Sequence, residues 1–274
     1  MKQVFNISSG TGHKAEQQVL LIRVGEHHFC YAITDKDSSE LQQLTWYSLE
    51  NTGDLELQEI YLKHPELREL YHKVVVGFDH PASVLIPYAA YKQIGAKPVL
   101  ETMYGVNGKD AIINEPVPAW QLYNVYAIPA YLKDWTDRHF PSAVYQHNYS
   151  IGVKKLNKSE FDGGAMLDLR LNDFTLLLNK GNKLLLAQTF PYSSPADVLY
   201  YLIKSCKEFS LSQEGLRLEV SGLIEKESNL YRELMHYFIH VGFREAEWSV
   251  PVSGEQAYPA HFFTSLNDLT VCES

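Results

Sequence analysis

The stretch AMLDLRLNDFTLLLNKGNKLLLAQTFPYSSPADVLYYLIKSC, residues 165–206, decides the fold of this chain. It holds three apolar runs of strand-like composition, joined by two short links that are rich in Asn, Asp and Gly. Ser194 and Asp197 then flank Pro195 in the pattern of a capped helix start, and apolar residues follow at helical spacing. The stretch therefore predicts three antiparallel strands and a helix. The predicted strands span 165–171, 174–178 and 183–190.

The first half of the chain shows the same order of elements. Three strands are predicted at 19–24, 29–34 and 44–49. A helical stripe over 55–71, interrupted at Pro65, and a β-branched strand at 74–78 follow them. In the second half, a strand at 216–220 follows the helix. Both halves therefore predict the order β-β-β-α-β, in which a crossover helix makes the last strand parallel to the first.

Two such units in tandem are the architecture of the actin-like ATPase superfamily, which includes actin, hexokinase and Hsp70-type domains. We therefore predict an α/β chain with an actin-like ATPase fold, built from two tandem ribonuclease-H-like domains with mixed sheets. The predicted organisation is a mobile arm at 1–16, a first domain at 17–158, a second domain at 159–250, and a C-terminal tail at 251–274 that packs back on the body.

Further elements complete each half. The first half predicts a strand at 122–128, a helix at 129–139 that begins with Pro129, and a strand at 143–153. The second half predicts a helix at 228–241 and a strand at 243–248.

Composition and charge exclude several classes of protein. Of the 274 residues, 45% are hydrophobic and 21% are charged, which is far from the composition of disordered proteins. The 24 Lys and Arg residues against 33 Asp and Glu residues give a net charge of −9, which disfavours sequence-independent nucleic-acid binding. No apolar run approaches the roughly 20 residues that cross a bilayer. With no secretory signal and an odd number of cysteines, three, we expect a cytoplasmic protein without direct membrane insertion.

Five stretches of the sequence carry a family resemblance. They are LLIRVGEHHFCYAI (20–33), SVLIPYAAY (83–91), KLLLAQTFPYSSPADVLYYLIKSC (183–206), LRLEVSGLIEKESNLYRELMHYF (216–238) and YPAHFFTSLNDLTVCE (258–273). The most specific element is the pattern TF-x-Y-x4-D-x2-YY within the third stretch. These residues resemble the uncharacterised bacterial family called domain of unknown function 3822, whose fold is actin-like. The resemblance implies a fold and leaves the function open, because one fold hosts many functions.

The superfamily resemblance implies where a nucleotide would bind. Actin-like ATPases carry an Asp-x-Gly phosphate turn between the first two strands of each domain, and the carboxylates hold hydrated Mg²⁺. Here the first turn falls at Arg23-Val24-Gly25, so an arginine stands where Asp is expected. A +1 charge about 4 Å from a +2 ion costs roughly 8 kcal/mol at an effective dielectric of about 20. Mg²⁺ is therefore not expected beside Arg23.

The other two nucleotide motifs are also altered. The second turn falls at Asp168-Leu169-Arg170, or alternatively at 172–174, and neither keeps the Asp-x-Gly form. The Gly-Gly adenosine turn falls at 221–223, where Gly222 is the single glycine. We therefore predict a degraded nucleotide cleft and a pseudo-ATPase without catalytic residues or a cofactor. The positions of that cleft are Arg23, Gly25, Asp168, Arg170 and Gly222.

Two alternatives concern the arginines and the carboxylates. Arg23 and Arg170 could converge on the interdomain cleft and clamp an anion without metal, or both could be surface or edge-strand arginines. An active ATPase or phosphotransferase would need ATP and Mg²⁺ at a non-standard interdomain site. Asp168 or Asp79 would then serve as metal ligand or base.

A third alternative is a metal enzyme, because His236 and His240 are four residues apart on the predicted helix. The intervening residues lack the Glu of a zinc protease, so no metal site is predicted. The favoured hypothesis is a non-catalytic binding or scaffold module with an unidentified protein partner. The sequence leaves its oligomeric state open.

Overall fold

The computed structural model of the protein describes residues 1–9, 15–50, 53–156, 161–249 and 258–271. The chain divides into two compact units. The first contains Met1–Ser150 together with the described residues 247–249 and 269–271, and the second contains Ile151–Ala246 and Tyr258–Asp268. The division after Ser150 lies before the predicted domain boundary at residue 158. No helix in the described ranges is long and apolar enough to span a membrane.

The first unit begins with four strands, a helix and a fifth strand. These are β1 (Lys2–Ser8), β2 (Gln18–Gly25), β3 (His28–Asp35), β4 (Leu41–Ser48), α1 (Asp54–Lys63) and β5 (Lys73–Asp79). Strands β2, β3 and β4 form an antiparallel meander, and the chain then crosses through α1 so that β5 pairs with β2 in parallel. The β-β-β-α-β order predicted for the first half is therefore present.

The next elements add a second sheet and four helices, and the last helix, α5, continues past Ser150 into the second unit. The elements are β6 (Ser83–Pro87), α2 (Tyr88–Ile94), α3 (Ala96–Tyr104), β7 (Asp110–Val117), β8 (Leu122–Pro129), α4 (Ala130–His139), β9 (Val144–His147) and α5 (Asn148–Lys155). Strand β9 joins the first sheet, which has the order β1-β4-β3-β2-β5-β9, while β6, β8 and β7 form a separate antiparallel sheet.

The second unit repeats the meander and crossover. Its elements are β10 (Gly163–Leu169), β11 (Asp173–Lys180), β12 (Lys183–Pro191), α6 (Pro195–Glu208), β13 (Leu216–Gly222), α7 (Asn229–Tyr237), β14 (His240–Phe243) and α8 (Thr264–Asn267). The sheet order is β12-β11-β10-β13-β14, with β13 and β14 parallel to the strands beside them. The predicted mixed sheet with a crossover helix is therefore present in this half too.

Each unit has an apolar core against its main sheet. In the first, alternate residues of β2, such as Leu20 and Ile22, pack in one buried cluster with Ile60 of α1. In the second, Leu167 of β10 and Leu202 of α6 belong to a corresponding cluster. Burial of such side chains, at about 25 cal/mol per Å² of apolar surface, is the main force that holds sheet and helix together.

The helix start predicted at Ser194 is present. Helix α6 begins at Pro195, and the Asp197 carboxylate accepts hydrogen bonds from the backbone N–H groups of Ser193 (3.0 Å) and Ser194 (2.9 Å). These bonds lower the pKa of Asp197, because they favour its charged form. The cap fixes the point at which the crossover begins.

Four predicted elements are wrong. Lys2–Ser8, in the predicted mobile arm, form strand β1 because they pair with the edge of the meander at β4. The strand predicted at 143–153 ends at His147, and α5 starts at Asn148. The helix predicted at 228–241 ends at Tyr237, since the following residues pair with β13 as strand β14. The strand predicted at 243–248 is instead β14, which ends at Phe243. In each case pairing or packing with distant residues overrides a local pattern.

The described part of the predicted C-terminal tail is short helical structure. Residues 258–271 contain two 3-10 helices, Ala260–Phe263 and Asp268–Val271, on either side of α8. Most of their side chains are buried, including Phe263 and Leu266.

Gly222 provides a test of the backbone geometry at the end of β13. Its φ of +87° is left-handed, and an added Cβ would fall on the backbone of Leu169 in the neighbouring strand. Gly222→Ala should therefore lower the free energy of unfolding by about 3 kcal/mol or more, as measured in urea.

Gly181→Ala is the matched control for this substitution. Gly181 also has a positive φ, of +55°, but nothing lies within 4 Å of the added Cβ. Its expected cost is only about 1 kcal/mol. Equal costs at the two glycines would show that steric contact with Leu169 is not what requires Gly222.

Candidate functional site

Arg23 is buried in the sheet of the first unit. It lies on β2, between β3 and β5, and is 2% exposed. Its Nη2 donates to Asp79 Oδ2 at 2.6 Å, and Asp79 ends strand β5. The alternative that Arg23 and Arg170 are surface or edge-strand arginines is therefore wrong, since Arg170 is also only 4% exposed.

Asp79 is held by several groups of the same unit. Asn148 Nδ2 donates to its second carboxylate oxygen at 3.1 Å, and His28 Nε2 lies 3.4 Å from the oxygen that Arg23 contacts. A cation that approached this carboxylate would compete with a guanidinium already at hydrogen-bond distance. The geometry favours Asp79 as the structural partner of Arg23.

Gly25 serves close packing within the first unit. A Cβ at this position would meet the imidazole of His28 and the backbone oxygen of Asp79, 2.9 Å away. The His28 ring in turn stacks on Trp46, with ring centroids 5.6 Å apart. Gly25 therefore lets the protein's own side chains approach the end of β2.

Two buried histidines lie near Asp79. His80 follows it in the chain, and His147 contacts the backbone of His80. His147 Nε2 donates to the His80 carbonyl oxygen at 2.8 Å, and its Nδ1 accepts the N–H of Tyr149 at 3.1 Å. These two bonds fix the neutral tautomer with its proton on Nε2. Burial lowers the pKa of His80 and of His147 to about 4, despite the opposing influence of Asp79.

Arg170 follows β10 and is paired inside the second unit. Its Nε donates to Asp173, Nη1 to Asp168 at 3.3 Å, and Nη2 to Thr175 at 3.0 Å. The Tyr192 hydroxyl donates to its carbonyl oxygen at 2.6 Å. The guanidinium is thus surrounded by oxygen acceptors of its own unit.

Asp168, Arg170 and Gly222 come together in the second unit. Asp168 pairs in register with Ser221, whose hydroxyl donates to its carboxylate at 3.1 Å, and Gly222 pairs with Leu169. Arg23 and Gly25 lie together in the first unit, at the end of β2. The sequence-predicted residues therefore form one group in each unit.

Arg23 and Asp168 occupy equivalent positions in the two meanders. In the first meander the last pair is Val24 with Phe29, and in the second it is Leu169 with Phe174. Arg23 and Asp168 each stand one residue before that pair. A positive and a negative charge therefore stand at equivalent positions of the two sheets.

The second unit also contains a second ionic cluster, which the local sequence patterns do not predict. Asp268, from the C-terminal segment, is 5% exposed, and its Oδ2 accepts from Arg244 Nη1 at 2.6 Å. Lys155 Nζ lies 3.9 Å from the other carboxylate oxygen. Burial raises the pKa of Asp268, although Arg244 and Lys155 oppose that change.

His236 and His240 do not share a helix face. His236 lies in α7, which ends at Tyr237, whereas His240 starts β14. The spacing argument for a metal site is therefore wrong. The described ranges contain no group of three or more His, Cys, Asp or Glu side chains that could hold a metal ion.

The topology of both units, with a meander, a crossover helix and a parallel strand, defines an actin-like ATPase fold. Residues 8–241 match the family described as "Protein of unknown function (DUF3822)", and the chain belongs to that family. The predicted family and fold are thus confirmed. No curated protein is a significant match to the chain.

Two solved structures are similar over nearly the whole chain. One is a Bacteroides thetaiotaomicron protein with an actin-like ATPase fold and unknown function, at 15% identity and a TM-score of 0.78, covering 94% of this chain and 97% of that one. The other is a chain of the PilM–PilN type IV pilus biogenesis complex, at 13% identity and a TM-score of 0.63, covering 93% and 98%. At such identities the likeness shows the fold alone.

Because the Arg23–Asp79 ion pair is buried, we expect Arg23→Ala to lower the free energy of unfolding strongly. The change leaves the Asp79 carboxylate buried without its guanidinium, so the free energy of unfolding should fall by about 3–5 kcal/mol in urea denaturation. Arg23→Ala combined with Asp79→Ala should cost less than the sum of the single changes, because the two residues are coupled.

Lys133→Ala is the control for this prediction. Lys133 forms an ion pair of 2.6 Å with Asp137, whose side chain is 49% exposed. Its loss should cost no more than about 1 kcal/mol. A similar small cost for Arg23→Ala would contradict the structural role assigned to the buried pair.

The buried histidines predict a loss of stability in mild acid. Since their pKa falls from 6.5 to about 4 on folding, the unfolded chain binds more protons in that window. Stability should fall as the pH falls from about 6.5 to about 4, by about 2 kcal/mol for each histidine between pH 7 and pH 5.

His147→Gln tests whether the buried histidines cause this loss of stability, and the measurement is urea denaturation at pH 7 and pH 5. The variant should lose less stability than the wild type between these two values. His72→Gln, at an exposed histidine, is the control and should leave the pH dependence unchanged. An identical pH dependence in all three proteins would rule out His147 as a contributor.

Proposed function

We propose that this protein is a non-catalytic binding or scaffold module of the cytoplasm that has an actin-like fold and recruits a protein partner. The observation that carries the proposal is the buried Arg23–Asp79 pair, with 2.6 Å between Nη2 and Oδ2. It stands at the turn where the superfamily resemblance implies a carboxylate that serves Mg²⁺.

Binding of Mg²⁺ in the first unit would require the pair to separate. Both side chains are 2% exposed, so neither charge can turn to water without moving the surrounding sheet. Separation of a buried pair leaves an uncompensated charge, at a cost of about 3–5 kcal/mol. The site therefore favours its internal ion pair over a metal-bound nucleotide.

The carboxylate of the second unit is also engaged. The Asp168 carboxylate accepts hydrogen bonds from Arg170 and from the Ser221 hydroxyl. Asp168 is the carboxylate that a nucleotide-bound Mg²⁺ would need, and it is already occupied by these two donors. This arrangement supports the absence of a catalytic constellation and of a resident ATP or Mg²⁺ cofactor.

A protein partner is supported by the fold of a similar structure. The similar chain of the type IV pilus biogenesis complex, in which PilM and PilN are associated, belongs to a two-protein assembly. By analogy of fold, we infer that this chain also acts through protein association. A cytoplasmic location fits the odd number of cysteines, three.

The alternative is a nucleotide-dependent ATPase or phosphotransferase with a non-standard site. It would need Asp168 or Asp79 to exchange its arginine for a metal ion. The two hypotheses differ in one measurable property, which is Mg²⁺-dependent nucleotide binding.

Thermal unfolding with ATP, ADP and GTP, each with and without Mg²⁺, tests the proposal. We expect no Mg²⁺-dependent change in Tm. A nucleotide at 100 times its Kd would stabilise the fold by about 2.7 kcal/mol, which corresponds to a shift of about 5 °C or more at this size.

A Mg²⁺-dependent rise in Tm would overturn the proposal in favour of the ATPase. A metal-independent rise would instead support direct anion binding by an arginine, either Arg23 in the first unit or Arg170 in the second. Arg23→Ala, checked for folding by circular dichroism, should then abolish the rise if Arg23 is the ligand. Persistence of the rise in this variant would exclude Arg23 from the anion site.

A further inference from the structure

Strand β12 lies at one end of the sheet of the second unit and, at nine residues, is the longest of the described strands. No strand of the described ranges pairs with its outer side, which we call the outer edge of β12. In the first unit the third strand of the meander, β4, has the equivalent place, but there β1 pairs with it as an antiparallel neighbour. The two units therefore differ in how this edge is covered.

The composition of β12 lacks the features that protect a free edge from pairing. Its charged residue is Lys183 at the start and its proline is Pro191 at the end, so residues 184–190 contain neither. Free edges are usually short or carry charges and prolines. Among the other edge strands, β9 and β14 have four residues each, and β7 carries Glu115 and Pro116. The composition of β12 therefore favours pairing with a further strand.

The regular part of β12 presents a self-complementary row of side chains. A bulge at Leu185 interrupts the register with β11, and the pairing is regular from Leu186 onward. Leu186, Gln188 and Phe190 then share one face; the two apolar side chains are partly buried at the rim of the core, and Gln188 is exposed. If an antiparallel second copy has Gln188 on the two-fold axis, Leu186 lies opposite Phe190 of that copy. The two Gln188 amides, which can both donate and accept, then face each other.

The charges at the two ends of this edge are complementary in the same arrangement. Lys180 and Lys183 are register partners at the hairpin end, and both are exposed. At the opposite end, Asp173 pairs with the last residue of β12, and Asp197 caps the helix that follows. Arg170 is shared between Asp173 and a second carboxylate, so this end keeps a net negative charge. Antiparallel pairing brings the basic end of one copy beside the acidic end of the other.

We propose that the outer edge of β12 is a homodimer interface, where two copies of this chain pair antiparallel with Gln188 on the two-fold axis. The occupant is a second copy because the edge matches itself in apolar residues, in amides and in charge. The sheets of the two second units then form one continuous sheet. The inference does not rest on the proposed function, because neither Arg23 nor Asp79 takes part in this edge.

Sedimentation equilibrium of the full chain tests the proposal over a range of about 1–100 µM. The wild type should be a dimer at the upper end of this range and dissociate on dilution. Gln188→Lys places two like charges face to face on the axis, so the dimer Kd should rise by about tenfold or more. Because Gln188 is exposed, the circular dichroism spectrum of the variant should match that of the wild type.

A charge swap separates pairing at this edge from a general effect of the substitution. Gln188→Glu alone should also weaken the dimer, whereas an equimolar mixture of Gln188→Lys and Gln188→Glu should restore it as a heterodimer. The matched control is Asn114→Lys, at an exposed amide on the edge strand β7 of the three-stranded sheet. This control should dimerise like the wild type.

Gln188→Cys tests the register. Directly opposed residues of antiparallel strands have Cα atoms about 4.5–5.5 Å apart, which a disulfide can bridge. Mild oxidation should therefore give a covalent dimer of this variant on a non-reducing gel. The wild type and Asn114→Cys are the controls and should remain single chains.

The proposal is overturned if the wild type is a monomer at about 100 µM, because the second copy is then absent from the edge. It is also overturned if Gln188→Lys dimerises like Asn114→Lys, if the charge-swapped mixture stays monomeric, or if Gln188→Cys forms no more covalent dimer than the controls. A monomeric wild type would leave the edge to a strand of another protein.

Discussion

In each unit, the strand that follows the crossover helix pairs in parallel with the first strand of the meander, and this pairing determines where the charges lie. Parallel strands end at the same edge of a sheet. In the first unit Gly25 and Asp79 are therefore direct neighbours in the register, and in the second Asp168 and Ser221 are. The buried polar groups of both units gather at these strand ends.

In each unit, the buried charges near these strand ends are paired with opposite charges of the same unit. Arg23 is paired with Asp79, and Arg170 with Asp168 and Asp173, while Asp268 is paired with Arg244. A buried charge without a partner is far more costly than a paired one. Arg23 and Asp168, the two positions at which the resemblance leads us to expect metal-binding carboxylates, are therefore engaged by side chains of their own unit.

Local sequence patterns predicted most of the main sheets but not all of their members. Alternating and β-branched runs indicated the meanders, and the capping residues around Ser194 indicated the crossover helix of the second unit. The patterns failed at β1, at α5 and at β14, because the state of those residues depends on distant neighbours. The sequence also identified Arg23 as an anomaly, although it could not show that the arginine is buried.

The sequence by itself determined the actin-like fold and the loss of the expected Asp at Arg23, since both depend on local patterns and residue identity. Only the tertiary structure decided which charges pair. Arg23 and Asp79 are 56 positions apart, and Arg244 and Asp268 are 24 apart. Sheet register and the course of the C-terminal segment bring them together, and no local periodicity encodes such contacts, because they form only when separate elements pack against each other.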